Sequence, residues 1–211
     1  MAKGRLTDAQ LALATTFFRS NREFFLTGGA VLAGWELQHR TTEDIDLFTD
    51  RDVVLEGERA LKAAIAELGG QLEAVTTSPD FRRFVANIGG EQIKVDLVRD
   101  RAPQLYPKLE RDGVRMDSAE EIFANKICTL VERSEVRDVV DLMLLEGRGL
   151  RVEDHLVQAQ KKDGGATPAT LAWLLSTMVV PAEVPGGVER EQVLGFVRAL
   201  EKRMLALAAP R

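Results

Sequence analysis

FFLTGGAVLAGWELQHRTTEDIDLFT, residues 24–49, carries three patterns in succession. Phe24, Phe25 and Leu26 form an apolar run that stops at Gly28-Gly29. Ala30 to Leu37 follow with helical spacing, Val31, Gly34 and Trp35 sharing a face. After the polar turn His39 to Glu43, Asp44-Ile45-Asp46-Leu47-Phe48 alternates with period two, as a half-buried strand does. A strand that breaks at Gly-Gly and opens a helix leaves free backbone N–H groups at the helix start. Glycine permits the tight turn and the close approach of a ligand, and the N–H groups with the helix dipole favour phosphate. In Asp44-x-Asp46 both carboxylates point to one face. Such a pair of hard oxygen donors suits Mg²⁺, which binds through one or two carboxylates plus substrate phosphates. A phosphate cradle beside a divalent-ion pair is equipment for phosphoryl or nucleotidyl transfer. Gly-Gly alone is usually a turn, and Asp-x-Asp alone a solvated strand face. The order and spacing of the two carry the reading.

The run TGGAVLAGWELQHRTTEDIDLF resembles the first motif of the polymerase-beta-like nucleotidyltransferases, and in detail that of the AbiEii/AbiGii toxin family, MenT toxins included. Later segments match the same pattern. Lys94-Val95-Asp96 lies on a strand in which Lys94 and Asp96 share a face; taken alone, that would be an exposed hairpin face. Lys126 interrupts an amphipathic helix, with Arg133 near the same face. Asp138 and Asp141 are three apart on the next helix and so are neighbours. The resemblance spans about Phe24 to Leu145. It implies an α+β fold: a polymerase-beta-type mixed sheet with flanking helices over residues 1–100, and a helical subdomain over 101–211 that completes the nucleotide and acceptor cleft.

The activity it implies is metal-dependent transfer of a nucleoside monophosphate from an NTP. Asp44, Asp46 and Asp96 would hold Mg²⁺ or Mn²⁺. Asp96 would also help activate the acceptor hydroxyl, and Asp138 would orient Lys126 or Arg133. The Gly28-Gly29 backbone, Arg40, Thr42, Lys94 and Arg133 would meet the nucleotide, with Lys126 a point charge toward the triphosphate. Asp141 reads as an ordinary partner of a nearby arginine. Toxins of this family act on the tRNA acceptor end and pair with an antitoxin protein, so tRNA and an antitoxin are the expected partners. Three alternatives stand beside this one: nucleotidylation of a small molecule such as an aminoglycoside, AMPylation of a protein, and a catalytically inactive binding module. The intact set Asp44, Asp46, Asp96 and Lys126 argues against the last.

Composition bounds the rest. The chain has 211 residues, 45% of them hydrophobic, enough for a real core, and its net charge of −5 gives no broad basic surface for nucleic acid. Cys128, the single cysteine, reads as core filler and excludes an internal disulfide. His39 and His155 have no zinc-site spacing. No signal-peptide pattern is visible, nor a run of about 18 apolar residues to span a bilayer. The expectation is a cytoplasmic protein without membrane contact.

Around the motifs, Thr7-Asp8-Ala9-Gln10 has capping-box spacing for a helix to about Phe18, with Leu11, Ala14 and Phe18 inward. A helix runs from the polar Thr49–Asp52 to Leu68. Strands follow over 71–77, 81–88 and 93–98, the last two joined by a turn at Gly89-Gly90-Glu91. Residues 99–117 read as irregular, with Pro103, Pro107 and Gly113 as breakers. Helices follow over 118–133, 135–147, 152–162, 168–178 and 189–208, with a linker at 181–187.

Overall fold

The computed structural model describes residues 5–209. The chain forms two compact units that divide between Ser118 and Ala119.

The first unit is built on a seven-stranded mixed sheet in the order β3-β4-β5-β2-β1-β7-β6. Its elements run α1 (Asp8–Ser20), β1 (Phe25–Thr27), α2 (Gly28–Val31), β2 (Asp44–Thr49), α3 (Val54–Glu67), β3 (Gln71–Thr77), β4 (Phe81–Ile88), β5 (Glu91–Arg99), β6 (Leu109–Arg111) and β7 (Val114–Met116). Thr7 closes a full capping box: its hydroxyl accepts from Gln10 N, and the Gln10 side chain accepts from Thr7 N. The same Gln10 side chain, 2% exposed, donates to the Thr42 carbonyl at 2.8 Å and so ties α1 to the loop before β2. The inward residues of α1 are Leu13, Ala14, Phe17 and Phe18. Leu11, expected among them, is only half-buried.

Two local differences from the sequence expectation have clear causes. The helix after β1 begins at Gly28 itself and continues as a π-helix over Leu32–Glu36, where wider i→i+5 turns mark a departure from regular α geometry. Trp35 Nε1 donates to Asp112 at 2.9 Å and Arg111 pairs with Glu36 at 2.8 Å, pinning this segment to the β6–β7 turn. Residues 99–117 are not wholly irregular: β6 and β7 form a hairpin, and β7 joins β1 in parallel through Leu26↔Met116. The division between units therefore falls beyond the expected residue 100. Three-residue strands are too short for period-two alternation to reveal.

The second unit is helical: α4 (Ala119–Glu132), α5 (Val136–Glu146), α6 (Val152–Lys162), α7 (Pro168–Thr177) and α8 (Arg190–Ala208). Thr167 caps α7 by accepting from Thr170 N, with Pro168 in the first turn. The linker holds a short 3₁₀ turn, Pro185–Gly187. Cys128 is buried and its thiol accompanies the Ala159 carbonyl at 3.4 Å. Burial pushes that thiol up to about 11, so it is inert packing. No helix among the described residues is long and apolar enough to cross a membrane.

Candidate active site

In the first unit, register places the chemistry. β1 pairs antiparallel with β2 through Thr27↔Asp46, β2 pairs parallel with β5 through Asp46↔Asp96, and β5 pairs antiparallel with β4 through Asp96↔Arg83. Thr27, Asp46, Asp96 and Arg83 thus form one row across four strands, and residues opposite each other on paired strands share a face. Asp44↔Lys94 is the row two residues away.

The Gly-Gly turn lies against this row. Gly28 has φ +64°, and a Cβ there would stand 2.7 Å from Asp46 Oδ2. Only glycine lets the Asp46 carboxylate close on the helix start. A Cβ at Gly29 would stand 3.1 Å from the Thr42 hydroxyl and 3.6 Å from an Arg40 guanidinium nitrogen. The Thr42 hydroxyl also accepts from Asp44 N at 3.4 Å. Behind the turn, the Thr27 hydroxyl donates to Asp117 Oδ2 at 2.5 Å. Asp117 is fully buried and pairs with Lys108, whose ammonium lies 3.9 Å above the Phe25 ring centroid.

Asp44 and Asp46 are half-buried at the start of β2, hard oxygen donors beside backbone N–H groups, and they fit a divalent ion bound with phosphate. Asp96 is engaged elsewhere. Arg83 Nε donates to Asp96 Oδ1 at 2.8 Å and Nη2 to Oδ2 at 2.6 Å. The expected convergence of Asp44, Asp46 and Asp96 is therefore not assembled. Among the described residues no three His, Cys, Asp or Glu side chains are grouped to hold a metal, and the third carboxylate is paired with a guanidinium fork. The Asp96 hydrogen bonds push the Arg83 pKa up most strongly, burial opposes them, and the charges of Asp96, Asp44 and Asp46 add to the rise. Lys94 bonds Glu43 at 2.9 Å. That bond holds the Glu43 carboxyl below its ordinary value and lifts the Lys94 ammonium, which also feels Asp44.

In the second unit, Lys126 is 6% exposed, and Asp138 and Asp141 are fully buried. The ammonium lies 2.6 Å from Asp138 Oδ1 and 2.6 Å from Asp141 Oδ2. Arg133 grips Asp138 from the other side, Nε to Oδ2 at 2.9 Å and Nη2 to Oδ1 at 3.0 Å. Burial alone would raise the Asp138 carboxyl. The Lys126 charge and the hydrogen bonds from Arg133 and Lys126 outweigh it and hold the group below the usual carboxylate range.

The sequence matches the family described as nucleotidyl transferase AbiEii toxin, type IV TA system, over residues 12–205. The chain belongs to this family. It is thus a nucleotidyltransferase of the AbiEii kind, the toxin of a type IV toxin–antitoxin system, with an NTP as substrate and an antitoxin as partner. Its fold is similar to that of JHP933 from Helicobacter pylori, with TM-score 0.59 and 19% identity over 96% of each chain. It is also similar to MenT4, a nucleotidyltransferase toxin from Mycobacterium tuberculosis H37Rv, with TM-score 0.51 and 14% identity over 94% of this chain and 85% of that one. At these identities the likeness concerns the fold. No curated protein matches the sequence significantly.

For this AbiEii-family chain, two groups of the expected residues are brought together, each within its own unit. Arg40, Thr42 and Asp46 lie against Gly28 and Gly29, and Asp44 and Asp46 stand in register with Lys94 and Asp96 of β5, the Asp96 carboxylate being held by Arg83. Lys126, Arg133 and Asp138 form a buried ionic cluster. Asp141, read as the partner of an arginine, meets Lys126 at the same 2.6 Å distance as Asp138. Arg83 was missed, although a signal existed. The Gly89-Gly90 turn sets Ile88 opposite Glu91, and counting back along that hairpin puts Arg83 opposite Asp96. Nothing local marks Asp117 or Lys108, which reach Thr27 only through the pairing of β1 with β7.

Proposed function

We propose that the chain moves a nucleoside monophosphate from an NTP to the 3′ end of tRNA in a Mg²⁺-dependent reaction in the cytoplasm, and that its antitoxin restrains this activity. The observation that carries the reading is the Asp46 carboxylate closed against Gly28, beside Asp44. Acid pair and phosphate-binding backbone are thereby one construction. A divalent ion held by Asp44 and Asp46 would offset triphosphate charge and polarise the α-phosphate. The N–H groups of Gly28 and Gly29 bind phosphate oxygens at the helix start. The Arg40 guanidinium beside Gly29 supplies positive charge, and the Thr42 hydroxyl holds the Asp44 backbone in place. Asp96 stands in the same row as Asp46; released from Arg83, it would take the proton of an attacking hydroxyl or add a ligand oxygen.

The tRNA acceptor rests on the family resemblance. A net charge of −5 favours a cationic acceptor such as an aminoglycoside as the competing reading. Incubation with each α-labelled NTP and Mg²⁺, adding total tRNA, an aminoglycoside or cell protein in turn, separates them. Label on tRNA 3′ ends, lost in Asp46→Ala while near-ultraviolet circular dichroism stays native, is the expected result. Label on the drug or on protein with none on tRNA overturns the tRNA reading, and label that survives Asp46→Ala overturns the site.

A further inference from the structure

Arg83 stands in the carboxylate row yet belongs to no part of the reaction described above. Its guanidinium bonds both oxygens of Asp96, the geometry that makes arginine–carboxylate pairs strong and directional. The Asp96 side chain is 12% exposed, whereas that of Arg83 is 47% exposed. One partner is fixed and the other has solvent to move into. The Phe81 ring, 5.5 Å from the guanidinium carbon, gives the arginine a flat surface beside the row. A guanidinium fork matches phosphate as well as it matches carboxylate, so an arriving triphosphate offers Arg83 an equivalent partner.

We propose that Arg83 is a positioning residue that latches Asp96 until nucleotide arrives, so that a divalent ion and the NTP bind cooperatively. The proposal rests on the reading of Asp44 and Asp46 as ligands for that ion. With the latch closed, Asp96 is a neutralised pair and adds little attraction for a cation. With the fork transferred to phosphate, Asp96 regains its charge toward the Asp44–Asp46 pair. Metal bound without nucleotide must compete with Arg83, and nucleotide removes that competitor.

Mn²⁺ titrations of the full chain followed by electron paramagnetic resonance test this without any turnover. They are run with and without non-hydrolysable analogues of ATP, GTP, CTP and UTP. Arg83→Gln should bind Mn²⁺ alone about tenfold more tightly than the parent, equivalent to about 1.4 kcal/mol. The analogue should then enhance Mn²⁺ binding less in the variant than in the parent. Arg83→Lys, a point charge that cannot fork both oxygens, should fall between. Adding Asp46→Asn to Arg83→Gln should remove the gained affinity. An arginine that merely stabilises the sheet would lower the melting temperature of Arg83→Gln and leave Mn²⁺ affinity unchanged or weaker, which overturns the latch. If the parent binds Mn²⁺ with an analogue and Arg83→Gln titrates identically, the latch alone falls. If no form binds Mn²⁺ under any condition, the metal reading falls and the latch with it.

Discussion

A methyl group on Gly28 would face two penalties at once: a left-handed backbone at φ +64° and a 2.7 Å approach to Asp46 Oδ2. The backbone part costs about 1–2 kcal/mol; the contact is relieved only by moving the carboxylate. Gly28→Ala should therefore reduce transfer far more than its modest loss of stability explains, and a variant that melts lower but turns over normally would show that Asp46 need not touch the turn. Lys126 makes a different case. Its charge is spent on two fully buried carboxylates, and removing one partner of a buried pair costs about 3–5 kcal/mol. Lys126→Ala should thus lower the urea midpoint strongly, and nucleotide titrations of that variant are to be read beside its folded fraction. An unchanged midpoint would return the lysine to solvent. Asp138 adds a pH test. Its carboxyl is depressed below 3.8 in the folded chain, so between the folded and unfolded values the unfolded chain binds more protons, and stability rises with pH. The contribution is fully present above the unfolded value and is lost as pH falls through the folded one. Asp138→Asn should flatten the fall in stability on acidification below pH ~4; parallel curves for parent and variant would contradict this.

At the scale of elements, α3 meets Phe24, the residue before β1, through Gly57. A Cβ there would come within 2.4 Å of Phe24 Cζ, and Phe24 is fully buried. Intrinsic helix propensity favours alanine over glycine by about 1 kcal/mol in a helix interior. Overpacking a filled core costs about 1–3 kcal/mol, and the packing effect is expected to win. Gly57→Ala should lower the thermal midpoint, and a rise would mean that Phe24 can shift. Of the stripe that spacing assigns to α3, Leu61, Ala64, Ile65 and Leu68, the last caps the helix half-buried, and the inward placing of the first three was legible from spacing alone. The role of Gly57 was not, since spacing says which face is buried but not how closely a partner ring approaches. The hairpin of β6 and β7 was hidden for a related reason. Three residues hold too few alternations to separate a strand from a loop, and their pairing depends on β1, far away in the chain.

For the whole molecule, a ligand stabilises the chain only through binding to its folded state. Mg²⁺ with an NTP at about 100 times the dissociation constant adds about 2.7 kcal/mol, which for a chain of this size is a rise of roughly 5–10 °C in midpoint. Asp44→Asn should respond much less than the parent. Its apo form should melt no lower, because it removes one of two neighbouring negative charges. Asp96→Asn differs: that carboxylate is already neutralised by Arg83, so its loss should lower the apo midpoint. Differential scanning fluorimetry of the three proteins with and without ligand decides it, and an equal ligand response in all three would dissolve the proposed site.

By itself the sequence determined the strand, Gly-Gly break and helix of residues 24–37, the one-sided Asp44-x-Asp46 and Lys94-x-Asp96 strands, and the amphipathic helices after residue 118. Each of these follows from backbone chemistry and from periodicity among near neighbours. Only the tertiary structure decided that Asp96 is forked by Arg83, that Lys126 is enclosed by Asp138 and Asp141, and that Asp117 braces Thr27. The state of a charge depends on what neutralises it and on how much water reaches it. Both are fixed by strand order and helix packing between residues distant in the chain, which no local pattern of residues encodes.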